Sequence, residues 1–135
     1  DISSRDAIVL RLAEMYLIKA EAELGSGSAS AALSTLNQLR AKRAKTGMDN
    51  SLKGTVDINT ILEERAIELC GEQQRWFDLK RTKTLVDRVK KYNAQGAASI
   101  KEFHYYRPIP QAQLDAITNL VSAPGGEGFW QNTGY

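Results

Sequence analysis

Glu64, Glu68 and Glu72 fall four residues apart, so a helix would stack three carboxylates along one face. Such a ladder has the chemistry of a carboxylate metal site or of a general acid and base. A di-iron bundle adds a histidine three residues after a glutamate, and no histidine stands there. The plainer reading, a solvated face or ion pairs with Arg65 and Arg75, is adopted. His104, the single histidine, sits beside Phe103, Tyr105 and Tyr106 without the partners that a catalytic or metal-bound imidazole needs. The chain has no His-Glu-x-x-His, no Walker loop and no nucleophile elbow. Gly125-Gly126-Glu127-Gly128 lacks the preceding strand and following helix of a phosphate cradle. The expectation is a protein that is not an enzyme, with no catalytic, cofactor-binding or metal-binding residues.

Binding chemistry is the other possibility. Trp76 and Phe77 lie between Arg75 and Asp78, Lys80 and Arg81, where they could stack a sugar or a base. From Arg75 to Lys91 seven basic residues face Asp78 and Asp87, a local charge of +5 against −3 for the remainder. Phosphate contacts come from such residues, but the chain carries only +2 overall and no nucleic-acid motif, so no nucleic-acid partner is expected. A solvated helix face, or one turned toward another part of a larger protein, fits better. Sugar sites favour flat aromatics with polar neighbours. Outside the helical stripes Tyr105, Tyr106 and Trp130 fit that description as ligand-binding candidates. The competing reading, which is preferred, has them pinning the C-terminal segment to the helices.

These residues need elements to position them. Val9, Leu12, Ala13, Tyr16, Leu17, Ala20 and Leu24 recur at helical spacing. They predict a helix over 6–24, capped by Ser3 or Ser4 and closed by Gly25-Ser26-Gly27. Ser28 is the expected cap of a second helix over 28–44, with Ala29, Ala32, Leu33, Leu36, Leu39 and Arg40 along one side. So short a connection makes the two an antiparallel hairpin. Met48–Val56 reads as a polar loop. Asp57 caps a third helix over 57–70, with Ile58, Ile61, Leu62, Ala66 and Leu69 inward and Cys70 as a small buried hydrophobe at its inner edge. Gly71 weakens or breaks it, and 74–82 returns to helix. Leu85, Val86, Val89 and Tyr92 mark a further basic helix. Beyond Ala94 order is expected to fade, apart from an extended Arg107-Pro108-Ile109-Pro110 segment and a short helical turn. The tail holds Phe129, Trp130 and Tyr135, which suggests that it docks.

At 135 residues, with 42% hydrophobic and 25% charged, the chain reads as a single domain over 1–135. One cysteine excludes an internal disulfide. The start at Asp1 reads as that of a piece of a longer protein.

Several segments resemble, in order, the C-terminal region of SusD/RagB proteins. They are "RLAEMYLIKAEA" (Arg11–Ala22), "ALSTLNQLRAKR" (Ala32–Arg43), "ILEERAIELCGEQQRWFDLKRTKTL" (Ile61–Leu85), "RPIP" (Arg107–Pro110) and "QNTGY" (Gln131–Tyr135). Two positions depart from the family pattern: Gln73 stands for a Gly, and Thr133 for a Pro. The resemblance implies an all-α fold of tetratricopeptide-like helical hairpins with an irregular, turn-rich C-terminal segment. It also implies a cell-surface lipoprotein of a Gram-negative outer membrane that binds glycans, or in some members peptides. Its partner would be a SusC-like TonB-dependent porin. The lipid anchor belongs to the family's N-terminal portion, which this chain lacks. In the alternative, this region is an interaction module for the porin and the ligand site lies elsewhere. The family treats the Trp76 region as scaffold, so Trp76 and Phe77 are expected in a helix seam, with Arg75, Asp78 and Arg81 at its rim near Glu64 and Glu68.

Overall fold

A computed structural model describes residues 9–117 and 130–135. Every regular element among them is helical. The chain divides into two compact units, Asp1–Asp78 and Leu79–Tyr135.

In the first unit, α1 (Leu12–Gly25) and α2 (Ala29–Arg43) are joined by three residues and pack on each other, and α3 (Ile58–Glu68) packs against α1. The shared core holds Ala13, Leu17 and Ala20 of α1 and Ala32, Leu36 and Leu39 of α2, with Val56, Ile61 and Leu69. The small residues let the backbones approach, while the leucines fill the seam. After α1, Gly27 adopts φ +84. There the Gly27 amide donates to the Leu24 carbonyl and the Ser28 amide to that of Glu23, which closes the helix end in a Schellman motif.

α1 begins six residues later than the periodicity predicts. Arg11 is its N-cap in extended backbone, and Val9, counted in the apolar stripe, is 79% exposed. The Arg11 side chain reaches Glu68 and Glu72, which fixes the chain where the helix starts. Ser3 and Ser4, the expected caps, lie outside the described residues. Ser28 occupies the N-cap of α2 but makes no side-chain bond there. Asp57 caps α3 as expected: it accepts from the Thr60 amide at 2.7 Å, and the Thr60 hydroxyl closes the box. That orphan amides need such partners explains why the element starts where it does.

The Met48–Val56 loop is held by α2. Asn37 brackets Leu52, accepting from its amide at 2.7 Å and donating to its carbonyl at 3.1 Å. Arg40 donates to the Asn50 carbonyl.

Past Glu68 the chain turns through Gly71 at φ +82 and Gln73 at φ +61 before α4 (Arg75–Arg81). This turn resets the helical register, which accounts for two departures from expectation. Cys70 is exposed, not buried, because it lies beyond the end of α3. Phe77 is 66% exposed and Trp76 half-buried, so the pair does not continue the stripe of α3. The residue facing inward is Asp78, bonded to Arg65.

The second unit holds the end of α4, then α5 (Leu85–Tyr92), α6 (Ala94–Ala97), a 3₁₀ turn (Glu102–Tyr105) and α7 (Gln111–Asp115). Order does not fade at Ala94. These elements are too short for a legible period, and side chains fix them: Asn93 caps α6 by accepting from the Gly96 amide at 2.9 Å. Leu85 and Val86 are buried as predicted, but Tyr92 is exposed, with Arg88 and Lys91 set over its ring.

The closing segment clasps the proline-rich one. Ile109 carries the lone amide of the Pro-Ile-Pro run, since proline has no N–H. The Gln131 side chain accepts from that amide at 2.7 Å and donates to the Ile109 carbonyl at 2.9 Å. Asn132 donates to the Arg107 carbonyl and Tyr135 to that of Tyr106. Gly134 takes φ +105, and a Cβ there would stand 2.5 Å from the Phe103 ring. The tail therefore docks, as its aromatics suggest; Phe129 lies outside the described residues.

Candidate functional site

The glutamate ladder is occupied by arginines. Glu64 pairs with Arg40; Glu68 pairs with Arg11 and Arg43, each at 2.7 Å; Glu72 pairs with Arg11 at 2.7 Å. Ion pairing is thus the right reading of the ladder. Its partners come from α2 and the start of α1, whereas the expected Arg65 and Arg75 are engaged elsewhere. Arg65 donates to Asp78, and Arg75 to the Leu62 carbonyl at 2.6 Å. Hydrogen bonds from Arg43 and then Arg11 hold the Glu68 carboxyl down to about 2, against the opposing effect of burial. The same bonds raise the Arg11 and Arg43 guanidinium groups above their ordinary value. A carboxylate so ionised and so saturated with donors has no lone pair aimed at a substrate. The ladder is a clamp between helices.

His104 packs as well. Its ring stacks on Phe103 with centroids 4.2 Å apart, its Nδ1 accepts from the Lys101 amide at 2.9 Å, and Tyr135 stands edge-on. No group of three or more His, Cys, Asp or Glu placed to hold a metal occurs among the described residues.

The feature with ligand-binding shape lies in the second unit. It is a cleft of about 620 Å³ lined by Lys80, Arg81 and Lys83, by Val86 and Asp87 of α5, and by Glu102, Tyr105 and Tyr106. A Schellman end to α4 positions the cations: the Lys83 amide donates to the Lys80 carbonyl at 3.1 Å and that of Thr84 to Leu79 at 3.0 Å. Lys83 takes φ +54 to do so, a region disfavoured for a side chain with a Cβ. The Tyr105 hydroxyl accepts from the Val86 amide across a long 3.5 Å. Tyr106 is 66% exposed, and its carbonyl rather than its side chain takes the Tyr135 hydrogen bond.

The structure thus brings together two of the three aromatic candidates, Tyr105 and Tyr106. Trp130, 37% exposed, is not among the lining residues and begins the docked tail. Lys80, Lys83, Asp87 and Glu102 are lining residues that sequence reasoning does not single out. The signal for the cations is the basic run of Arg75–Lys91, which reads equally as a solvated face until Tyr105 and Tyr106 are placed beside it.

No helix of the described residues is long and apolar enough to cross a membrane. No solved structure matches the chain significantly. Among curated proteins, it is similar to three from Formosa agariphila. SusD-like protein P2 is 37% identical over 141 residues, covering 94% of this chain and 26% of that protein. SusD-like protein P25 is 32% identical over 126 residues, covering 89% and 24%. SusD-like protein P38 is 35% identical over 94 residues, covering 64% and 19%. The chain thus spans about a quarter or less of the length of these relatives. The SusD family model matches residues 1–125, and the chain belongs to the SusD family.

Proposed function

We propose that this chain is the C-terminal helical region of a cell-surface nutrient-binding protein, one that captures oligosaccharides without catalysis. It hands them to a SusC-like TonB-dependent porin in the outer membrane, where a lipid anchor elsewhere in the parent protein holds it. Membership of the SusD family supports the uptake role. The observation that carries the glycan reading is the pair Tyr105 and Tyr106 on one cleft beside charged side chains. Ring faces of tyrosine pack against sugar C–H groups while charged and hydroxyl groups satisfy the sugar hydroxyls. The test is a titration of the parent protein with a panel of oligosaccharides, repeated with Tyr106→Ala. The exposed Tyr106 ring makes this a stability-neutral change, because its carbonyl anchor remains. A loss of affinity at unchanged melting temperature supports the reading, and retained affinity removes the cleft from it.

A second reading has its own observation. Leu12, Met15 and Ile18 of α1 are exposed, three apolar side chains at helical spacing. Such a face favours a packing role, either within the parent chain or against the porin, and requires no ligand site in this region.

A further inference from the structure

We infer that the cleft of the second unit takes an anionic oligosaccharide, one whose sugar rings carry carboxylate or sulfate groups. The inference rests on the glycan-binding reading above and narrows it. A neutral sugar needs ring platforms and hydroxyl partners, and Tyr105, Tyr106, Asp87 and Glu102 provide both among the lining residues. It does not need cations gathered at one point. Here Lys80, Arg81 and Lys83 occupy four consecutive positions, all on the cleft. The α4 end fixes them through the Lys83 and Thr84 amides, with Lys83 in left-handed backbone. Guanidinium and ammonium groups so placed match carboxylate and sulfate oxygens, arginine by a two-pronged fork and lysine as a point charge.

The wider charge distribution agrees. Residues 79–135 hold eight Lys and Arg against four Asp and Glu, a net of +4, while residues 1–78 hold ten against twelve, a net of −2. A positive surround of this kind raises the local concentration of anions and speeds their capture, an effect that salt weakens. The cleft volume of about 620 Å³ lies within the range of ~300–1,000 Å³ usual for small-ligand sites.

The parent protein would be titrated calorimetrically with tetragalacturonate, with sulfated cellotetraose and with neutral cellotetraose, each at about 20 and about 200 mM sodium chloride. The expected result is that an anionic probe binds at least about tenfold more tightly than cellotetraose, and that the gap narrows at high salt. Tetragalacturonate alone would identify the carboxylate as the recognised group, and sulfated cellotetraose alone the sulfate. The Arg81→Gln, Lys83→Gln double variant should lose about tenfold for the anionic probe, with its affinity for cellotetraose and its melting temperature unchanged. Cellotetraose bound as tightly as the anions, or a double variant with intact anion affinity, would overturn the inference and leave the glycan reading standing. No binding of any of the three would remove both.

Discussion

Arg65 Nε donates to Asp78 Oδ2 at 2.7 Å, and both side chains are only 4% exposed. The pair joins α3 to the first turn of α4 across the stretch in which the chain reverses through Gly71 and Gln73. Glu14 of α1 stands 3.9 Å from the same guanidinium. A charge buried this far must keep its partner, because the interior does not solvate it. Arg65→Ala or Asp78→Ala is therefore expected to destabilise the protein by roughly 3–5 kcal/mol. Urea unfolding checks this; a change below about 1 kcal/mol would show that water replaces the missing partner.

Acid should weaken the α1–α2–α3 clamp in a defined window. Glu68 has its carboxyl lowered from 4.5 to about 2 by Arg43 and Arg11. A depressed folded-state value means that the stabilisation is fully present above 4.5 and is lost as pH falls toward 2. Glu68→Gln should flatten the stability profile across that interval while leaving its shape above pH 5 unchanged. Denaturation midpoints at closely spaced pH values would detect this difference.

Gln73 and Lys83 hold left-handed backbone at φ +61 and +54, which costs a residue with a Cβ about 1–2 kcal/mol. Gln73 stands where the family pattern has glycine. Gln73→Gly should thus raise stability by about 0.5–1 kcal/mol after the greater freedom of unfolded glycine is counted. Thermal melts of the single variant decide it, and a lower melting temperature would mean that the Gln73 side chain holds the turn.

The clasp offers a change of the same sign. The Tyr135 amide donates to the Asn132 carbonyl at 3.3 Å, with Gly134 at φ +105. That is the pattern of a turn whose second residue favours proline, and Thr133 occupies that place. Thr133→Pro should stabilise by about 0.4–1 kcal/mol. Gly134→Ala should do the reverse, since its Cβ would meet the Phe103 ring. Paired melting curves of the two variants would show opposite shifts.

What was legible in the sequence was local. The Asp57 cap, the glycine-closed end of α1 and the stripes of α1–α3 each depend on residues within a turn or two of one another. The partners of Glu68 lie 57 and 25 positions away, and no spacing rule reaches that far. Trp76, Phe77 and Cys70 were misplaced for a single reason: extending the stripe of α3 assumes an unbroken helix, and two left-handed residues rotate everything after them. The cleft was legible only in part. Tyr105 and Tyr106 show as aromatics without a helical stripe to join, whereas Lys80, Lys83 and Glu102 become neighbours of these rings only once α4, α5 and the 3₁₀ turn are folded together.

The bracket of Gln131 on Ile109 reads backbone alone and spans 22 positions. A loop whose two ends are tied in this way can change length cheaply, because closure entropy grows only logarithmically and doubling the span costs about 0.6 kcal/mol. Insertions between Pro110 and Trp130 would then leave both the proline run and the closing aromatic turn in place. The clasp makes that interval the part of the chain best suited to acquire new segments without unfolding its surroundings.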